Sequence, residues 1–330
     1  MRDPLKALQW EGDALWILDQ RQLPGKVKWI VARNAENVAR AIETLAVRGA
    51  PAIGVAAAYG VALAALRANV TQESLRKTIS RLAKTRPTGF NLFYALGRMT
   101  EAVALTPVNL TSRIVKLAER IHRDDARSCL AMARHGLSVM QRGERILTYC
   151  HTGALATGGI GTALGAIKLG HERGKVTEVF ACETRPIGQG ARLTVWECAQ
   201  AGVPVTLICD NMAAALMQSG RVTRVMVGAD RIARNGDTSN KIGTLSVATL
   251  AKAHGVPFHV VAPTTTFDLS LKSGRDIPIE ERNPVEVTRI TPGLDKVRGF
   301  KVWNPSFDVT PARLITSHIT DLGVLRPPFR

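Results

Sequence analysis

The string YCHTGALATGGIGTALGAI, Tyr149 to Ile167, sets a cysteine between an apolar run and a loop of small residues. A thiol in such surroundings can have its acidity tuned, whereas a cysteine inside an apolar helix is a small hydrophobe. Cys129 and Cys198 are read as buried hydrophobes of that kind. Gly158, Gly159 and Gly161 leave backbone N–H groups accessible at a helix start near Gly158, where a phosphate or oxyanion is favoured. The alternative is that they serve only a tight strand-to-helix turn. The spacing is not the dinucleotide fingerprint, since three residues separate Gly161 from Gly165, and Lys168 lacks the context of a Walker loop. His151 follows Cys150 directly, so on a strand it points to the opposite face and is not an obvious partner. Metal-ligand spacing is absent around Cys150, His151 and Cys182, and no metal is expected.

Two further strings carry polar groups after an apolar run. In ETRPIGQGARLTVWECAQAG, Arg185 and Arg192 can pair with phosphate or form ion pairs with Glu183 and Glu197. In VGADRIARNGDTSNKIGT, Asp230 ends an apolar run and a polar turn follows. Asn240-Lys241, suited to hydroxyl and phosphate contacts, then precedes a new helix. VRGAPAIG and KTRPTGFNL each place an arginine, Arg48 and Arg86, beside a turn.

The elements that must position these groups come in two grammars. LWILD and VKWIVA read as short strands around a Pro24-Gly25 turn. NAENVARAIETLAVRG then reads as a helix from an Asn34 cap to Gly49. Further helices are expected over Pro51–Leu66, Gln72–Lys84 and Asn91–Ala104, with a long amphipathic one, continuous or broken, over Thr111–Met140. After Gly143 come RILTYC, EVFACE, PVTLICD, RVMVGAD and FHVVAP, branched apolar runs each followed by a turn and usually a helix. That alternation implies a parallel sheet with right-handed crossovers. Its ligands sit at the carboxyl ends of the strands, where Cys150, Glu183, Asp210 and Asp230 fall. The grammar changes within 120–145, dividing the chain into 1–130 and 131–330.

Bulk properties narrow the class. With 330 residues, 45% hydrophobic and 22% charged, the chain is long enough for one large or two ordinary globular domains. The apolar stretch around Ala50–Leu66 is too short to span a bilayer and is expected to be a buried helix. The N-terminal string MRDPLKALQWEGDALWILDQ lacks the pattern of a signal peptide. Five cysteines without a CxxC pair fit a reduced, cytoplasmic setting. The net charge of +17 attracts polyanions. Aromatics are only 5% of the chain and no recognition motif accompanies the basic residues, so nucleic acid is not the expected partner. A phosphorylated small molecule gains from the same field.

Taken in order, LDQRQLPG, VRGAPAIGVAAAYG, RPTGFNLFYALGRM, ILTYCHTGALAT, ETRPIGQGARLTVWE, CDNMAAALM, GADRIARNGDTSNKIGT and PTTTFD resemble the methylthioribose-1-phosphate isomerase family. That family is grouped with the regulatory subunits of a eukaryotic initiation-factor exchange complex and with ribose-1,5-bisphosphate isomerases. The resemblance implies an α/β fold: a Rossmann-like parallel-sheet C-terminal domain and a smaller, mostly helical N-terminal domain carrying a short β-element, usually as a homodimer. It implies an aldose–ketose isomerase acting on a sugar phosphate, 5-methylthioribose 1-phosphate, in methionine salvage, with no cofactor. The catalytic cysteine falls on Cys150 and the acid on Asp230. The substrate contacts fall on Arg48, Gly49, Ala50, Arg86, Gln189, Asn240 and Lys241. Three departures touch the pocket: His151 where the family often has Asn, Gly89-Phe90 where it usually has Ala-Val, and Ile187-Gly188 ahead of QGARL. A related substrate, 5-deoxyribose 1-phosphate or ribose 1,5-bisphosphate, and a non-catalytic regulatory role remain as alternatives.

Overall fold

The computed structural model describes residues 5–105 and 108–328, except the side chain of Asp295. The start of the N-terminal string, residues 1–4, lies outside them. An antiparallel sheet of β1 (Leu8–Trp10), β2 (Leu15–Leu18) and β3 (Trp29–Ala32) comes first. The two strands expected from the sequence are β2 and β3. Helices α1 (Ala35–Glu43), α2 (Ala50–Ala65), α3 (Gln72–Ala83), α4 (Phe90–Ala104) and α5 (Leu110–Leu137) follow. Asn34 caps α1 by accepting the Asn37 N–H at 2.9 Å. That helix stops at Glu43 rather than Gly49, because Leu45 turns left-handed (φ 59°) and the Val47 N–H returns to the Ala41 carbonyl. Helix α2 is apolar on every face because α1, α3, α4 and α5 all pack against it. Among the described residues, no helix is long and apolar enough to cross a membrane.

Helix α5 is unbroken over 28 residues, about 42 Å at 1.5 Å per residue. Its first half gives Ile114, Ala118 and Ile121 to the core around α2. Its second half gives Cys129, Met132 and Ala133 to a different core, beneath the main sheet. The change of grammar within 120–145 therefore coincides with one helix shared by two cores.

Strands β4 (Glu144–Thr148), β5 (Val176–Cys182) and β6 (Val205–Ile208) begin the C-terminal half. They alternate with α6 (Ala163–Glu172), α7 (Val195–Gln200) and α8 (Ala213–Gln218). Strand β7 (Arg224–Val227), the hairpin β8 (Arg231–Ala233) and β9 (Thr238–Lys241), α9 (Thr244–Ala253) and β10 (Phe258–Val261) follow. The chain ends with β11 (Phe267–Asp268), the short α10 (Val285–Thr288), β12 (Phe307–Thr310), β13 (Ser317–Ile319) and β14 (Val324–Leu325). The main sheet has the order β14-β13-β10-β7-β4-β5-β6 and is parallel except for the edge strand β14. Chain order runs outward from β4 through β5 and β6, then resumes on its other side with β7, β10 and β13. The reversal lies between β4 and β7, and the crevice at their carboxyl ends is where such a sheet binds ligands. At the opposite ends, a buried Glu144–Arg224 pair at 2.7 Å and an Arg224–His259 hydrogen bond at 2.6 Å link β4, β7 and β10.

A second sheet, β11-β8-β9-β12, adds what the sequence reading lacked: the polar turn after Asp230 is flanked by two short strands. The Asn235-Gly236 pair turns a hairpin there, with the Ala233 N–H donating to the Asp237 carbonyl. Lys241 is consequently the last residue of a strand, and the expected helix, α9, follows at Thr244.

Candidate active site

A cleft opens at the β4/β7 reversal, and helical residues of the N-terminal half close its other side. It is lined by Arg48, Gly49, Ala50, Arg86, Cys150, Gln189, Asp230 and Lys241, so eight of the nine expected site residues converge. Asn240 lines the recess immediately behind, together with Arg48, Cys150 and Asp230. Its side chain is buried and donates to Thr244 Oγ1 at 3.0 Å, which anchors the turn into α9.

Cys150 comes two residues after β4 and adopts a left-handed backbone, φ 65°, a conformation that non-glycine residues adopt only where their surroundings impose it. Two threonines impose it here. Thr184 Oγ1 accepts the Cys150 N–H at 2.9 Å, and Thr194 Oγ1 donates to the Cys150 carbonyl at 3.0 Å. The thiol is thereby aimed into the cleft, where Gln189 Nε2 (3.4 Å) and Arg48 Nη2 (3.7 Å) approach Sγ. Such donors stabilise charge that develops on sulfur. His151 turns away: its Nε2 meets Glu197 at 3.2 Å and its Nδ1 meets Thr194 at 3.1 Å.

Asp230 comes three residues after β7, held by its N–H to the Ser239 carbonyl at 2.9 Å. Burial pushes its carboxyl above the ordinary carboxylate value, and Lys241, Arg48 and Arg86 pull in the other direction. Burial likewise pushes the Lys241 ammonium down, against the raising effect of Cys150 and Asp230. Lys241 Nζ donates to the Ser306 carbonyl at 2.7 Å and lies 4.8 Å from the centre of the Phe307 ring.

The cationic side of the cleft is built on the start of α2. Gly49 precedes that helix with φ 96°, Pro51 stands in its first turn, and no side chain caps it. Its first amides, with the positive end of the helix dipole, therefore face the cleft. Gly49 is also needed for contact, because a Cβ there would lie 2.5 Å from Ala156 Cα in the loop after Cys150. Arg48 Nη1, Arg86 Nε and Gln189 Oε1 are buried without a hydrogen-bond partner among the described residues, which leaves them capacity for a ligand. Ile53, Phe90, Leu92, Ile187 and Ile277 form the apolar side. Phe90 is fixed by the Arg231 guanidinium 4.9 Å from its ring centre, and Arg231 in turn donates to the Thr88 carbonyl at 3.0 Å.

Other candidates from the sequence have structural duties. The Gly158 N–H donates to Asp125 at 2.6 Å and the Gly159 N–H to Thr157 Oγ1 at 3.1 Å, so these amides are already taken. The glycines there allow close packing on α5: a Cβ at Gly158 would lie 2.5 Å from His122, and one at Gly159 2.8 Å from Ala126. The helix begins at Ala163, not Gly158. Arg185 and Arg192 make neither expected contact. They donate to the carbonyls of Pro186, Val287 and Gln20, and neither lines the cleft. Glu197 pairs instead with His151 and Lys168. Asp210 accepts the Thr184 and Arg185 N–H groups and so shapes the turn after β5.

Sequence reasoning missed Thr184 and Thr194, whose hydroxyls look like ordinary loop and helix residues. It also missed Arg282 and Pro278, which reach the cleft from a segment without recognisable periodicity. Asn235-Gly236 was the available signal for the hairpin that carries Lys241.

Comparison with known proteins places this architecture. The initiation factor 2 subunit family model matches residues 46–327. A methylthioribose-1-phosphate isomerase of Pelotomaculum thermopropionicum is 51% identical, over 98% of this chain and 92% of the relative. A 5-deoxyribose 1-phosphate isomerase of Moorella thermoacetica is 48% identical, over 100% of this chain and 97% of the relative. The crystal structure of 5-methylthioribose 1-phosphate isomerase from Pyrococcus horikoshii OT3 superposes with a TM-score of 0.90 at 42% identity, covering 99% of this chain and 95% of that one. With such matches along nearly its whole length, the chain belongs to the initiation factor 2 subunit family and, within it, to the methylthioribose-1-phosphate isomerases.

Proposed function

We propose that this chain converts 5-methylthioribose 1-phosphate to 5-methylthioribulose 1-phosphate, an aldose–ketose isomerisation in methionine salvage. The observation that carries the reading is a buried carboxyl whose burial favours its protonated form, Asp230, in one cleft with a thiol aimed by two threonines, Cys150. The anomeric phosphate of such a substrate blocks ordinary ring opening, so the ring oxygen must be protonated while hydrogen moves from C2 to C1. A carboxylic acid held partly protonated suits the first task. Cys150, with Gln189 and Arg48 on its sulfur, serves as base at C2 or stabilises charge during a hydride-type shift. Arg48, the Gly49-Ala50 start of α2, Arg86, Gln189, Asn240 and Lys241 would hold the phosphate and hydroxyls. The apolar side with Phe90 and Ile187 would take the 5-substituent.

That apolar side equally suits 5-deoxyribose 1-phosphate, and the name of the Moorella relative favours it as a second substrate. The reading extends to a cytoplasmic homodimer. Five free thiols support the compartment, and light scattering that returns the mass of one chain would remove the dimer. A panel of pentose 1-phosphates followed by phosphorus NMR tests the activity. Conversion of a 5-substituted member to its open ketose is expected, and inactivity on every member overturns the reading.

A further inference from the structure

Glu280 belongs to none of the motifs above and lies in an irregular segment, yet it joins the two sides of the cleft. Its Oε2 meets Arg86 Nη2 at 3.4 Å and accepts from Thr88 Oγ1 at 3.2 Å, both in the turn before α4. Its Oε1 meets Arg282 Nη1 at 3.3 Å, and Arg282 also lines the cleft. The backbone fixes this carboxylate from behind. The Ser306 N–H donates to the Glu280 carbonyl at 2.8 Å and the Arg282 N–H to that of Asn304 at 2.9 Å. Glu286 grips the other edge of the Arg282 guanidinium at 2.7 Å.

The charges around Asp230 give this bridge a purpose. Arg48 faces it from the start of α2, Arg86 from the turn before α4, Lys241 from β9, and Glu280 from the 277–282 segment; Cys150, Arg231 and Arg282 line the same cleft. Burial favours the protonated form of Asp230, and the three cations work against it toward an ionised group that could not donate a proton. Glu280 is the acidic side chain that opposes them, and it does so while ion-paired to Arg86. We propose that Glu280 is a positioning residue: by binding Arg86 and Arg282 it holds both guanidinium groups at the rim and leaves Asp230 able to carry the proton for the ring oxygen. This rests on the isomerase reading, in which Asp230 is the acid.

The test is Glu280→Gln, with Glu280→Asp as the conservative control. Removing a like charge favours the ionised form of a neighbouring carboxyl. Glu280→Gln is therefore expected to move the alkaline limb of the kcat/KM profile to lower pH. Activity above the limb then falls, while activity on its acid side changes little; Glu280→Asp restores most of the limb. An unmoved limb, or an equal loss at every pH, overturns the proposal. A second readout needs no turnover. In protein labelled with carbon-13 at aspartate carboxyls, the signal lost in Asp230→Asn should titrate at lower pH in Glu280→Gln than in the unaltered chain. Identical titrations overturn the positioning role, whereas inactivity of the unaltered chain on all pentose phosphates overturns the isomerase reading alone.

Discussion

Two loop-to-helix junctions of this chain carry opposite lessons about anion sites. The loop before α6, with three glycines in four residues, has the composition of a phosphate cradle, yet its amides already have protein acceptors. Asp125 takes the Gly158 N–H, Thr157 that of Gly159, and Glu197 that of Ala154 at 2.8 Å. The junction before α2 holds a single glycine followed by Ala50-Pro51 and looks like a plain helix start. It has no cap, it faces the cleft, and Arg48 stands beside it. A helix start binds anions through amides that remain unpaired, and glycine content does not report pairing.

Asp230→Asn, on the cleft side, should lower kcat by about 10²–10⁴-fold with circular dichroism and melting unchanged; retained turnover removes the acid role. Glu197→Gln, on the loop side, should act on stability instead, by about 3–5 kcal/mol at neutral pH, since it leaves Lys168 without its buried partner. Burial alone would push the Glu197 carboxyl up, but Lys168 and His151 outweigh it and bring it down to about 2. A carboxyl depressed in the folded state contributes its full stability above its ordinary value near 4.5 and loses it as pH falls toward 2. Urea titrations at pH 7 and pH 3 should therefore show the gap between Glu197→Gln and the unaltered chain narrowing at the lower pH. Arg48→Ala should raise KM for a sugar 1-phosphate about ten- to a hundredfold. Arg192→Ala should leave KM within about threefold, and equal effects would dissolve the distinction between the two arginines. Gly158→Ala should cost about 1–3 kcal/mol through overpacking on His122 while KM stays within about twofold.

Much of the architecture was legible because periodicity reports burial directly. The all-apolar α2, the capped α1 and the branched runs of the main sheet each announce the side they hide. The strand order was less legible, since it depends on which strand pairs with β4 after β6, a long-range choice. At the site, Cys150 and Asp230 stood out as polar residues ending apolar runs, and the resemblance made them a pair. Thr184, Thr194, Glu280 and Arg282 did not stand out. Their roles come from partners 34, 44, 194 and 2 residues away respectively, and only the first three of those separations require the fold to close. The glycine-rich loop misled for the same reason: Asp125 and His122, which occupy it, lie on another helix.

Helix α5 has a mechanical consequence. One end is built into the core around α2, which carries the Gly49-Ala50 start, and the other into the core beneath β4, which carries Cys150. Midway, Asp125 and His122 hold both main-chain polar groups of Gly158, its N–H at 2.6 Å and its carbonyl at 3.1 Å. The two walls of the cleft are thus hung on a single beam. Neither core can melt without depriving the other of a packed face, so heating should give one sharp transition, and a backbone cut near residue 130 should unfold both halves together.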